Sequence, residues 1–242
     1  MGTVFTEYGG KRFQNEVDTF LRTNYQHDTL VEKAVATLWG YRRHGYNFPN
    51  FLKKINLLNQ NLPDSLKIRE CFTCSDYGKY FTAINYDTDS LYNISKSYDK
   101  EMADVVIDWY ENTHRKCLVI TNYRHAFMLT ENGKQKNKTS HFKDNEAQYI
   151  RDRFPKNTAN VMYYGGGFYK IVHNGKWRTA FKVNRNKPVG FDLKNSPFGK
   201  DRFDLINFCK ADIAYEDVFT GIVFDTPEES ELSIKWGNRF AQ

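Results

Sequence analysis

Residues 163–187, YYGGGFYKIVHNGKWRTAFKVNRNK, interleave aromatic and basic side chains around three glycines and an Asn-Gly pair, without a carboxylate. Holding a single-stranded nucleic acid takes these ingredients: cations along the phosphates and aromatic faces on which bases stack. The bias extends beyond the stretch itself. From 153 to 191 there are eight Lys or Arg and no Asp or Glu, which leaves 27 basic against 29 acidic residues elsewhere, so the whole net charge of +6 is local to this segment. A clustered basic patch is the electrostatic footprint of a polyanion-binding surface. The phosphate candidates are Lys170, Lys176, Arg178, Lys182, Arg185 and Lys187, and the stacking candidates are Tyr163, Tyr164, Phe168 and Tyr169.

A second constellation is Cys71 and Cys74 followed by His114 and Cys117, a Cys-x2-Cys pair and a His-x2-Cys pair. Three thiolates and one imidazole suit tetrahedral zinc, and each short spacing lets two ligands bite one ion. Four protein ligands leave no open position, so the expected role of such a zinc is structural. The competing reading is a buried cysteine at the start of an apolar strand and a histidine at a helix C-terminus.

A third stretch, INYDTDSLY at 84–92, resembles the Asp-Thr-Asp-Ser metal-binding motif of family B DNA polymerases, with Asp87 and Asp89 at the matching positions. That resemblance implies paired aspartates in a hairpin holding two catalytic metals, which clamp the attacking and leaving oxygens. It covers about nine residues, and the family's other elements do not follow, so the alternative is a turn rich in Asp, Thr and Ser. Arg22 and His27 have the Arg-x4-His spacing of some helical ribonucleases. No nucleophile elbow, phosphate-binding loop or dinucleotide fingerprint is present, and no nucleophile with its base can be assigned.

The elements that must position these residues follow from periodicity. Phe13, Val17, Phe20, Leu21 and Tyr25 make one helical stripe, a second helix is expected from Thr29, and Pro49 opens a third with Phe51, Leu52, Ile55 and Leu58 inward. From Leu66 the texture changes. LKIRECF, KYFTAIN and SLYNI read as strands, DKEMADVVIDWYENTH as a helix capped by Asp99, KCLVITN and RHAFMLT as strands, and NEAQYIRDRF as a short helix. FYKIVH and KWRTAFKV flank Asn-Gly as a hairpin over 168–183, which places Trp177 and Phe181 on an apolar face and Lys176, Arg178 and Lys182 on a basic one. DVFTGIVFD reads as a further strand. The expected fold is α+β, with a helical segment over 1–62 and a mixed main body over 63–242 built on a mainly antiparallel sheet with interspersed helices.

Four cysteines in 242 residues, no apolar run of membrane-spanning length and no basic-then-apolar start point to a soluble protein of a reducing, cytoplasmic compartment without a membrane partner. The function read from these features is a non-enzymatic accessory protein binding single-stranded DNA or RNA, of cellular or viral origin. Two alternatives stand beside it. One is a metal-dependent nuclease or phosphotransferase using Asp87 and Asp89. The other is a protein-interaction or virion-structural protein, as a homo-oligomer or with other partners, whose basic patch meets an acidic neighbour.

Overall fold

The computed structural model describes residues 2–7, 9–23, 47–74, 88–130, 133, 144–165, 175–205 and 213–225; the side chains of 47, 49 and 88–95 are outside that description. The chain divides into two compact units, one of residues 1–126 and 144–155 and one of 127–143 and 156–242. Expectations that fall on the helix from Thr29, on KYFTAIN, and on Asp87, Phe168, Tyr169 and Lys170 lie outside the described residues.

The first unit is built on a parallel sheet, which corrects the mainly antiparallel expectation. Strand β1 (Gly2–Thr6) lies between β2 (Ile68–Phe72) and β3 (Cys117–Ile120), both parallel to it, with Phe5 level with Cys71 and with Val119. The segment expected to be helical throughout thus begins with the central strand. Helices α1 (Gln14–Arg22) and α2 (Asn47–Gln60) connect β1 to β2, and Val17, Phe20, Leu21, Phe48, Leu52 and Ile55 pack with Phe72 on one face of the sheet. Helix α3 (Thr88–Thr113) connects β2 to β3 and covers the other face, where Val106 and Trp109 meet Phe5, Cys71 and Val119. Segment SLYNI, expected as a strand, lies inside α3.

Buried amides tie these layers together. Asn59 donates to the carbonyls of Leu21 (3.0 Å) and Ile68 (2.8 Å) and accepts from Ile68 N–H at 2.7 Å. Gln14 accepts from Phe72 N–H at 3.0 Å and donates to Glu70 C=O at 2.7 Å. Both side chains satisfy backbone groups of β2 that the sheet leaves open. Helix α4 (Glu146–Arg153) is capped by Asn145, which accepts from Gln148 N–H at 3.0 Å, and Phe154 beyond it packs on Tyr110 of α3 at 4.7 Å.

The second unit holds a mixed sheet. Strand β4 (Val161–Tyr164) is parallel to β6 (Gly221–Phe224), and β5 (Val189–Asp192) is antiparallel to β6. Residues Lys176–Val183 form helix α5 rather than the second strand of a hairpin. It starts at Gly175, whose φ of 82° is cheap for glycine, and buries Trp177 and Phe181 one turn apart. Phe181 stacks on Phe224 with ring centroids 4.0 Å apart, while Trp177 contacts Tyr164 and Tyr215. The short helix α6 (Pro197–Lys200) presses Phe198 onto both, and a Cβ at Gly199 would lie 2.0 Å from Leu193 C=O, so only glycine fits there. RHAFMLT forms no strand: Tyr123–His125 make a single 3-10 turn, capped by Asn122 accepting from Arg124 N–H at 3.1 Å. Among the described residues no helix is long and apolar enough to cross a membrane.

Candidate acid-base site

In the first unit the helices of successive crossovers lie on opposite faces of a sheet ordered β2-β1-β3. Strand order reverses between β1 and β3, and the carboxyl ends of parallel strands at such a reversal leave a crevice that no connection fills. Four ionisable side chains meet there. Glu7 follows the last residue of β1, His125 lies five residues past β3, Asp99 is contributed by α3, and Glu146 is the first residue of α4.

Their geometry is closely tied. Glu7 Oε1 accepts from Asn122 N–H at 2.7 Å, so the carboxylate at the end of β1 grips the exit of β3. Its other oxygen lies 3.4 Å from His125 Nε2. On the opposite side of the ring, His125 Nδ1 is 2.7 Å from Asp99 Oδ1, which also accepts from Glu146 N–H at 2.9 Å. Tyr98 sets its ring edge-on to the imidazole at 5.8 Å and makes a 2.9 Å O–H···S bond to Cys74, past the end of β2. Every strand of the parallel sheet therefore ends in this cluster.

The electrostatics favour stored protons. Burial opposes a charged His125, but the hydrogen bond and charge of Asp99, with the charges of Glu7 and Glu146, outweigh it and push the imidazole up to about 9. Glu146 is 1 % exposed, and among the described residues neither of its carboxyl oxygens has a hydrogen-bond partner. Burial pushes it up to about 8, against the opposing pull of the Thr121 hydroxyl and of His125. Thr121 Oγ1 is itself buried in this geometry without a partner, so a turn of that side chain is what would satisfy both groups. Side-chain exposure is 16 % at His125 and 5 % at Asp99 and at Glu7, which makes the imidazole the member through which the cluster exchanges protons with its surroundings. The longer contact, at Nε2, is the one a substrate atom can replace at least cost.

The residues expected to hold zinc do not converge. Cys71 and Cys117 lie in the apolar cluster under α3, Cys74 is bound to Tyr98, and His114 stands exposed at the end of α3 with φ 51°. Burial pushes the Cys71 and Cys74 thiols up to about 11, away from the thiolate form that a metal requires. Among the described residues no group of three or more His, Cys, Asp or Glu is arranged to hold a metal ion. Asp89 sits in the first turn of α3, where a helix replaces the hairpin that the polymerase motif requires.

The nucleic-acid candidates are split by the fold. Tyr164 is fully buried against Trp177 and Phe181, whereas its neighbour Tyr163 is 52 % exposed and, by strand alternation, faces away from α5. Lys176, Arg178, Lys182, Arg185 and Lys187 are all exposed on α5 and the turn after it. Among the described residues the cations and the tyrosines of this stretch are thereby placed on different surfaces. Sequence reasoning passed over Glu7, His125 and Glu146 and read Asp99 as a helix cap. The one available signal was position, since Glu7 and His125 stand just past apolar strand-like runs, where parallel-sheet proteins keep their chemistry.

No protein-family model matches the chain, and no curated protein matches its sequence. Solved structures do match its fold. An erythromycin esterase mutant captured in its open conformation aligns with a TM-score of 0.55 and 7% identity, over 94% of this chain and 83% of the other. A crystal structure of a Bacillus cereus protein aligns with a TM-score of 0.51 and 11% identity, over 93% and 80%. At these identities the likeness is one of fold.

Proposed function

We propose that the first unit is a hydrolase whose centre is His125, clamped between Asp99 and Glu7 at the carboxyl edge of the parallel sheet. The observation that carries this reading is the clamp itself, a histidine held at both ring nitrogens beside a buried carboxyl of near-neutral proton affinity. Among the described residues no side-chain nucleophile accompanies it: the Cys74 thiol is pushed up to about 11 and the Thr121 hydroxyl is buried. Water is then the attacking group, and the reaction class is hydrolysis.

For a carboxylic ester the steps balance as follows. A carboxylate of the cluster takes a proton from water while the water oxygen bonds to the carbonyl carbon. His125 gives its Nε2 proton to the departing alkoxide as the carbon–oxygen bond breaks, and the protonated carboxyl then returns a proton to the imidazole. Glu7, whose Oε2 lies 3.4 Å from His125 Nε2, is placed for the first role. Esters and lactones are the first class to test, because the aligned neighbour is by name an esterase.

The test is hydrolysis of an ester and lactone panel by the full chain and by His125→Asn. General acid-base catalysis of this kind contributes on the order of 10² to 10⁴ in rate, and a loss of that size in kcat/KM is expected. Equal rates for the two proteins, or no turnover above background across the panel, would overturn the reading.

A further inference from the structure

We propose that the exposed cations of α5 and of the turn that follows it hold the phosphodiester backbone of a nucleic acid, through its phosphates and without base readout. Residues 176–202 carry eight Lys or Arg against two carboxylates, Asp192 and Asp201, and Asp201 accepts from the Trp177 indole N–H at 2.7 Å. By turning Trp177 and Phe181 inward, α5 leaves Lys176, Arg178 and Lys182 outside, with Arg178 and Lys182 one turn apart on one flank.

The chain leaves the helix through Arg185 and Asn186, both left-handed, with φ of 55° and 53°. Hydrogen bonds from Arg185 N–H to Lys182 C=O (2.9 Å), Asn186 N–H to Phe181 C=O (3.1 Å) and Lys187 N–H to Asn184 C=O (3.2 Å) pin this turn. Arg185 and Lys187 are thus fixed in place next to Lys182, not carried on a loose tail. Among the described residues Lys176, Lys182, Arg185 and Lys187 form no ion pair.

A purely local explanation covers part of this charge. Cations near a helix C-terminus offset the partial negative charge of its last carbonyls, and Lys182 and Arg185 are placed to do so. That effect dies away within one turn, so it accounts for neither Lys176, at the opposite end of the helix, nor Arg178. Five exposed cations within twelve residues, and no carboxylate among them, fit a spaced row of phosphates. Among the described residues Tyr164 lies in the core and Tyr163 on the far side of the sheet from α5, so the contacts proposed here are those to phosphates. Phosphate contacts position a strand and carry no sequence information of their own.

The experiment is fluorescence anisotropy of labelled single-stranded DNA, single-stranded RNA and duplex DNA with the full chain across a salt series. Four to five neutralised phosphates predict a slope of log K against log salt of about −3 on single strands, at roughly −0.7 per phosphate. In K182Q/R185Q/K187Q the slope should shrink by about 2 and binding should weaken at least tenfold at low salt. A double variant, K182Q/K187Q, leaves the left-handed residue in place and should show about two thirds of that effect. Lys182→Arg keeps the charge and should bind as the unmodified chain does. An unchanged slope in both neutralised variants overturns the proposal, as does an absence of binding at low salt. Stronger binding to polyglutamate than to any oligonucleotide also overturns it, and assigns the surface to an acidic protein partner.

Discussion

Replacing Glu146 by glutamine tests whether the cluster stores a proton. The side chain keeps its shape and loses its ionisation. In the folded protein Glu146 is pushed up to about 8 from an ordinary 4.5, because burial of its carboxyl outweighs the opposing pull of the Thr121 hydroxyl and of His125. The folded state therefore holds a proton that the unfolded chain releases above pH 4.5. For a group raised in this way the associated stability is fully present below the unfolded value and is lost as pH climbs through the folded one. One pH step of proton affinity is worth about 1.4 kcal/mol, so the span amounts to roughly 3 to 5 kcal/mol between pH 4.5 and 8. His125 adds a loss of the same sign between about pH 6.5 and 9, where its imidazole gives up the proton held by Asp99 and Glu7. Urea unfolding from pH 5 to 9, followed by circular dichroism, reads the effect. Glu146→Gln and the unmodified chain should agree within about 1 kcal/mol at pH 5, and the variant should be the more stable by roughly 3 kcal/mol at pH 9, the His125 contribution persisting in both. A difference between the two proteins that stays constant over this range would refute the argument. It would mean that Glu146 is ionised in the folded protein and that its burial is relieved by a partner outside this geometry.

Two further outcomes follow from the packing. Glu70 is fully buried, accepts from Thr6 Oγ1 at 2.5 Å and is pushed up to about 8 by burial, and the hydrogen bond and ion pairs of His125 go to Asp99 and Glu7 instead; Glu70→Gln should flatten the same pH window while leaving ester hydrolysis unchanged. In α5, Phe181→Ala should cost roughly 3 to 5 kcal/mol of second-unit stability in thermal unfolding, because it removes the ring stacked on Phe224, whereas Val183→Ser, at a site 84 % exposed, should change it by about 0.5 kcal/mol or less. A strand at this position would bury Val183 beside Phe181, so comparable costs at the two sites would contradict the helix.

That contrast also explains where the sequence misled. Trp177 and Phe181 are four apart, a spacing that satisfies a strand of period two and a helix of period 3.6 alike. Thr179 and Val183 decide between them only once their exposure is known, and the Asn-Gly pair tipped the reading toward a hairpin. Legibility was better where the stripe was longer or the run wholly apolar. The α1 stripe of Val17, Phe20 and Leu21, the α3 stripe through Met102 and Val106, and the strands at 68–72, 117–120 and 221–224 all stand where periodicity put them. Strand direction was not legible, because a fully buried parallel strand and an antiparallel one share the same short apolar signature, and pairing partners are set by tertiary contacts.

The site inherits that difficulty. Glu7 and His125 are 118 residues apart and resemble no joint motif; they meet because β1 and β3 run parallel and adjacent, so that both strands end on the same edge. Asp99 was legible as a polar residue near a helical stripe, and a cap was the economical reading while the start of α3 was placed there. Since α3 begins eleven residues earlier, Asp99 lies in its interior, where a buried carboxylate has no open helical N–H to accept from and must find its partners elsewhere. It finds them in the ring of His125 and in the first N–H of α4, one of the donors that a helix start leaves open. The carboxylate that aligns the imidazole is therefore also the one that seats α4, and with it Glu146. Substituting Asp99 is expected to disturb the orientation of His125 and the position of Glu146 together, so its effect on hydrolysis should not add to that of His125→Asn.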